Sequence, residues 1–375
     1  MPDSALAEQQ RAAMQLARRR AVAIIDLDAL RKNFRQLAEM SAPAEGAPVV
    51  KGDGYGLGMV AVAKAAADAG ARMFLVARCE DGEALRAALP KAEILILDGL
   101  GAHDPEEFEA HALTPVLGDL GDLRRWLAKP RREAAFVHID TGMSRLGLRP
   151  AETDAANLIL RSAPEGGVAG YMTHFLNADN ADQQRCAKQV QDFQSAVARL
   201  PQARTSIVNS AGLFLDERRA WRGSFTRLGK AFYGFHTGPL DQPNPMRPAL
   251  SVYAPVLQVR DVAAGETIGY GATYTAQTPM RIATLGIGYT NGYLRSLSNK
   301  GAVCFEGVRA PLAGRVSMDL LTVDVTHVPE AALVPGIAEI LGPNIGLTEL
   351  SALAGSNEHE MQIALGRGCH RVYVG

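Results

Sequence analysis

In VVKGDGYGLG, residues 49–58, a lysine closes a short apolar run and a glycine-rich stretch follows it. Two chemistries fit that spacing. Gly56, Gly58 and Ala61 match G-x-G-x-x-A, the turn that lets a backbone approach a pyrophosphate, and Glu80 and Asp81 stand about 20 residues further on to take a ribose. That reading gives Lys51 no task, and a chain with 37 glycines produces such a match by chance. In the second chemistry, Lys51 projects from the C-terminal mouth of a barrel strand. A lysine there forms a Schiff base with an aldehyde, while nearby backbone N–H groups and Tyr55 hold an anion. An exposed lysine beside a turn is the plain alternative, because Lys is mostly exposed. His359, between Glu358 and Glu360, has no second metal ligand at helical spacing and reads as a solvated polar turn.

Positioning such a lysine requires a scaffold, and the pattern from residue 22 to about 234 supplies one. Short apolar runs at 22–27, 48–51, 72–77, 93–97, 114–117, 136–140, 168–173, 206–209 and 225–234 alternate with helical stretches. The clearest helix is 181–200, where Val190, Phe193, Val197 and Leu200 recur three and four apart. Eight or nine strand-helix units in this length predict a closed (β/α)8 TIM-like barrel; a doubly wound sheet needs fewer strands. The texture changes at Asp241-Gln242-Pro243-Asn244-Pro245, after which apolar runs and Gly- or Pro-rich turns predict a mostly-β domain. The expected organisation is an extension over 1–20, an α/β barrel over 21–245 and a β domain over 246–375.

The balance of 39 Lys+Arg against 40 Asp+Glu leaves a net charge of -1. Such a chain has no global field to gather nucleic acid or an anionic membrane, so any anion must be held locally. The four cysteines are far apart, with no CxxC pair, and read as free buried thiols. After Arg18-Arg19-Arg20 the apolar run 21–25 stops at Asp26, short of a signal peptide's core, and no stretch is long enough to span a membrane. A cytoplasmic protein is expected.

The lysine segment resembles the pyridoxal-phosphate lysine segment of the alanine racemase family. VHIDTGMSRLG (137–147), MTHF (172–175), NSAG (209–212), RLGKAFYG (227–234), GYGATY (269–274), GYTNGY (288–293) and GRVSMD (314–319) follow in the family's order and approximate spacing, so the likeness covers about residues 20–375. It implies covalent attachment of pyridoxal 5'-phosphate (PLP) at Lys51 and racemisation of alanine by two bases, Lys51 and Tyr270. By the same resemblance the tyrosine would come from the partner subunit of a homodimer, and the product D-alanine would serve cell-wall peptidoglycan. His174 would tune Tyr270, with Arg227 behind it facing the pyridine nitrogen. An arginine cannot release its proton, so the ring is a weaker electron sink and proton exchange is favoured over transamination or decarboxylation. Tyr55, Ser210 and the backbone N–H groups of Gly229 and Lys230 would hold the phosphate. Arg145 and the Met318 N–H would take the substrate carboxylate, Tyr289 would narrow the channel, and Asp319 would order its loop.

Three positions depart from the family pattern. His138 replaces a lysine that is carbamylated in many members, so Arg145 must be oriented by His138, an anion or another residue. Asn291 replaces a carboxylate near the channel, and Arg367 falls where members often carry a tyrosine. These changes motivate an alternative, a racemase of the same fold acting on serine or a broader set of amino acids. A PLP-binding carrier without turnover needs neither Tyr270 nor a β domain.

Overall fold

The computed structural model of the chain describes residues 2–130, 133–162, 167–179, 184–215, 221–237, 243–333 and 336–375. The expected boundary residues Asp241 and Gln242, and residues 181–183 of the expected helix, lie outside them. Two compact units are present, one formed by Leu30–Gly54 with Met59–Arg247, the other by Met1–Ala29, Tyr55–Gly58 and Pro248–Gly375.

The first apolar run forms β1 (Val22–Asp26), which belongs to the second unit. The next eight strands are β2 (Glu45–Pro48), β3 (Met73–Val76), β4 (Glu93–Ile96), β5 (Thr114–Leu117), β6 (Ala135–His138), β7 (Val168–Met172), β8 (Arg204–Ser206) and β9 (Phe225–Leu228). Neighbours from β3 to β8 pair in parallel, and β9 pairs with β2 in the register Glu45↔Phe225 to Pro48↔Leu228. Parallel bridges Val49↔Leu75 and Asn209↔Arg227 join β2 to β3 and β8 to β9. The ring therefore closes on eight strands. All four residues of β3, β5 and β9 are buried, as expected for parallel strands covered on both faces. Helices fill the connections, each started by local signals. At Pro105–Ala110, for instance, Asp104 precedes Pro105, and the Asp104 N–H donates to Glu107 Oε1 at 2.8 Å.

The expectation that the barrel begins at residue 21 is corrected here. With β9 bonded to β2, no barrel edge remains for a ninth strand. β1 instead pairs antiparallel with β10 (Leu250–Val262) and parallel with the chain's last strand. The remaining strands are β11 (Thr267–Ile268), β12 (Tyr274–Thr275), β13 (Met280–Leu285), β14 (Ala302–Phe305), β15 (Val308–Pro311), β16 (Leu321–Asp324), β17 (Ile337–Leu341) and β18 (His370–Val374). The sheet runs β15-β14-β17-β10-β1-β18, with β13 joining β10 to β16. Long β10 serves both parts because its register breaks at Val256/Gln258 and at Val252/Tyr253, which re-aims each half toward different neighbours. The hairpin β11–β12 carries the turn Tyr270–Ala272 at its tip, above a core of Val262, Ile268, Ala276, Met280, Ile282 and Ala313.

Candidate active site

Lys51 follows β2 directly. The Val49 N–H donates to Leu228 O at 2.9 Å and the Val50 N–H to Leu75 O at 2.8 Å, so the lysine leaves the barrel between β9 and β3. The chain then makes a left-handed turn, with φ of 65°, 61°, 62° and 53° at Gly52, Asp53, Gly54 and Tyr55. Left-handed backbone costs a residue with a Cβ roughly 1–2 kcal/mol. Two glycines lower that cost, and Asp53 Oδ1 braces the turn by accepting from the Met59 N–H at 3.0 Å. Strain concentrated beside one lysine marks a place where position outweighs stability.

Lys51 pairs with no carboxylate among the described residues, and its pKa is lowered by burial and by the charges of Arg145 and Arg227, against Asp98. A lowered lysine pKa makes the amine lone pair more available as a nucleophile. Arg227 is the one charged residue of β9 and is buried. Its guanidinium donates to Ser206 O at 3.1 Å, Ser206 Oγ at 2.6 Å, Ile207 O at 3.1 Å and Thr173 O. All four acceptors are neutral. Burial lowers its pKa to about 10, which leaves it protonated at neutral pH.

The same guanidinium lies 3.4 Å from His174 Nδ1. A cation that only donates makes Nδ1 the acceptor and puts the imidazole proton on Nε2. Burial, followed by the charges of Arg227, His138, Lys51 and Arg145, holds His174 well below the ordinary imidazole range. His138, at the end of β6, falls to about 4 through burial and Arg227, with Asp140 opposing and Arg145 adding to the shift. Both rings are neutral in the fold, whereas unfolded imidazoles take up protons near pH 6.5. The unfolded state therefore binds more protons below that value. Stability is complete above about pH 6.5 and declines toward pH 4, at up to about 1.4 kcal/mol per pH unit for each ring. Urea unfolding at pH 7.5 and pH 5 should show a lower midpoint at pH 5; equal midpoints would mean that the rings are charged in the fold.

Arg145 sits on a loop closed at its base, where the Asp140 N–H donates to Leu148 O and the Leu148 N–H to His138 O, both at 2.8 Å. Asp140 Oδ1 also accepts from the Gly142 and Met143 N–H groups at 3.0 and 2.9 Å, folding the turn that presents exposed Arg145. Ser210 is buried, with its Oγ 3.3 Å from the Ala231 nitrogen. Lys230 turns its ammonium to Asp179, which leaves only its backbone for a ligand.

Tyr55, Tyr270, Tyr289, Met318 and Asp319 belong to the second unit. Burial pushes the Tyr55 hydroxyl up to about 12, so it stays a donor. Its ring lies 5.6 Å from that of His359, in the first turn of the helix Glu358–Gly368. His359 is thus no solvated turn: it packs on a residue expected to bind phosphate. Gly56 and Gly58 also serve packing. A Cβ at Gly56 would come within 2.6 Å of Ile363 Cα, and one at Gly58 within 2.1 Å of the Tyr373 hydroxyl, so the nucleotide reading of these glycines is displaced. Thr290 Oγ1 lies 3.0 Å from Met318 O and 2.7 Å from Asp319 Oδ1, locking two loops together. Asn291 is engaged on both sides, donating to Gly368 O at 3.0 Å and accepting from the Gly288 N–H at 3.2 Å. Arg367 is exposed in the last turn of its helix. Tyr270 is 71% exposed and Met318 54%.

The family model described as "Alanine racemase, N-terminal domain" matches residues 25–237, and "Alanine racemase, C-terminal domain" matches 249–373. The chain is 42% identical to the alanine racemase of Acidiphilium cryptum over 93% of this chain and 97% of that one. It is 38% identical to the catabolic alanine racemase of Agrobacterium fabrum over 96% and 95%. Among solved structures, the alanine racemase from Bartonella henselae with covalently bound pyridoxal phosphate superposes with a TM-score of 0.89 at 32% identity, covering 95% and 99%.

Proposed function

That this chain belongs to the alanine racemase family is the premise from which we propose the roles of its residues. The activity is PLP-dependent interconversion of L- and D-alanine. The donor set suits the cofactor: an amine of lowered pKa at Lys51, hydroxyls at Tyr55 and Ser210, and a buried guanidinium that keeps its proton. Bound at Lys51, PLP supplies an electron sink that makes the substrate's Cα–H acidic.

Lys51 and Tyr270 then exchange the proton on opposite faces of Cα. Arg145 and the Met318 N–H hold the carboxylate, and Tyr289 limits side-chain size. Asp319 holds Thr290, and with it the loop that carries Met318. Gly229 and Lys230 contribute backbone N–H groups to the phosphate. His174, its Nδ1 facing Arg227, has an Nε2–H to offer the tyrosine oxygen, stabilising it as it takes and returns the proton. His138, neutral and half-buried beneath the Arg145 loop, supports that loop without a carbamate.

The carrying observation is Arg227, a buried cation with neutral acceptors only, set against His174. It offers hydrogen bonds but no labile proton, which favours exchange at Cα over deeper delocalisation. Exposure of Tyr270, Tyr289, Met318 and Leu320 on the second unit supports a homodimer in which this face covers the partner's lysine. Four buried cysteines outside any disulfide fit a reducing cytoplasm, and among the described residues no helix is long and apolar enough to cross a membrane. The alternative of serine or broader scope loses one of its motives, because Asn291 is occupied by backbone partners. The test is kcat/KM for alanine and serine on purified protein: alanine is expected to be preferred by about ten-fold or more, since each extra polar group in a small apolar site costs a kcal/mol or more. A preference for serine would sink the alanine assignment.

A further inference from the structure

Gln189 lies on the buried face of the helix Gln184–Val197, among Cys186, Val190 and Phe193, and is itself 3% exposed. A primary amide at such a place is destabilising unless its hydrogen bonds are made. Gln189 makes them with two particular loops. Its Nε2 donates to His174 O at 2.9 Å and to Thr141 Oγ1 at 3.0 Å, while its Oε1 accepts from the Leu176 N–H at 3.1 Å. Thr141 Oγ1 lies 2.7 Å from Thr173 Oγ1, and both threonines are buried. One amide therefore ties the loop after β6, which bears Arg145, to the segment after β7, which bears His174. Thr173 O, one residue before His174, is also an acceptor for Arg227.

We infer that Gln189 is a positioning residue for the tyrosine face of the reaction, holding the His174 backbone so that Nδ1 meets Arg227 and Nε2 meets the partner's tyrosine. A packing role alone would be served as well by an apolar side chain of equal length. The hydrogen bonds of Gln189 instead fall on the His174 carbonyl itself and on the Leu176 N–H two residues further on. The inference rests on the roles proposed above for His174 and Tyr270.

The test uses the PLP-loaded protein and the length-matched variant Gln189→Met, with Gln189→Glu, which keeps the acceptor but loses both donors, as the second variant if the first does not fold. Three quantities are read: exchange of the α-proton of unconverted L-alanine with deuterated solvent, the same for D-alanine, and the 15N and 1H resonances of the His174 imidazole. Exchange from L-alanine is expected to fall by about ten-fold or more while exchange from D-alanine changes by less than about three-fold, as sub-ångström misplacement of one catalytic group predicts. The His174 Nε2–H signal is expected to broaden or shift. Equal losses from both enantiomers, or an unchanged imidazole spectrum, would overturn the proposal and leave Gln189 as core packing. Tyr270→Phe in the same assay separates the two ideas. If it spares exchange from L-alanine, the tyrosine role fails, and Gln189 is then judged on the imidazole resonances alone.

Discussion

With Lys51 replaced by alanine, borohydride treatment is expected to fix no cofactor to the chain, the visible absorption of bound PLP to disappear, and racemisation to fall by at least about 10³-fold. Two losses combine in that number. On the roles proposed above, the amine that anchors the cofactor is gone, and so is one of the two groups that move the Cα proton. Lys51→Arg separates them, since it restores charge but supplies no amine able to condense with an aldehyde at neutral pH. It should match the alanine variant. Folding is not at stake, because the Lys51 ammonium pairs with no carboxylate among the described residues and its charge is disfavoured by burial and by two arginines. The unfolding midpoint should therefore stay the same or rise slightly. A label that survives borohydride fixation in Lys51→Ala would place the attachment elsewhere and remove this lysine from the site.

Tyr270→Phe is expected to have an effect of comparable size, with the one-sided signature that Gln189→Met should show in weaker form. Enantiomers have equal free energies, so kcat/KM for net conversion must fall equally in both directions whichever base is removed. The asymmetry appears only in exchange with solvent. Loss of the phenol should slow loss of the L-alanine α-proton by about 10²–10⁴-fold, the usual contribution of a general base, while D-alanine, deprotonated by Lys51, keeps exchanging at nearly the original rate. Both rates are read by proton NMR in deuterium oxide at early times. Equal suppression of the two would exclude a two-base scheme with Tyr270 on one face. The exposed position of this ring in the single chain adds a second check: at protein concentrations low enough to dissociate a dimer, exchange from L-alanine should weaken first.

Much of this was legible in the residues. Alternation of apolar runs with helical stretches announced an α/β barrel followed by a β domain, and the ordered motifs announced the alanine racemase family and its PLP cofactor. β1 was not legible: Val-Ala-Ile-Ile-Asp suits a buried strand in either unit, and only closure of the ring at β9 excludes it from the barrel. The hydrogen-bond network was equally hidden. Thr141 and Thr173 sit inside quoted motifs, but their meeting depends on neighbouring strands in the ring, which local sequence does not encode. Gln189 had one visible signal, a polar residue in the apolar stripe of a helix. His359 was misread because its neighbours Glu358 and Glu360 suggested solvent, whereas the helix carrying it lies against the segment after Lys51.

The pairing of β1 with β18 has a bearing on how the protein is made. At about 5–20 residues per second on the ribosome, β1 waits tens of seconds for its partners β10 and β18, and until β10 is made both its edges are open. All eight barrel strands are synthesised in the interval, so the barrel can close while the sheet that shares its chain is still waiting for its central strand β10 and its last strand β18. The second unit cannot assemble in order of synthesis. It is completed only once β18 is available to join β1, and until then β1 depends on its short length and on Asp26 to discourage pairing with other nascent chains.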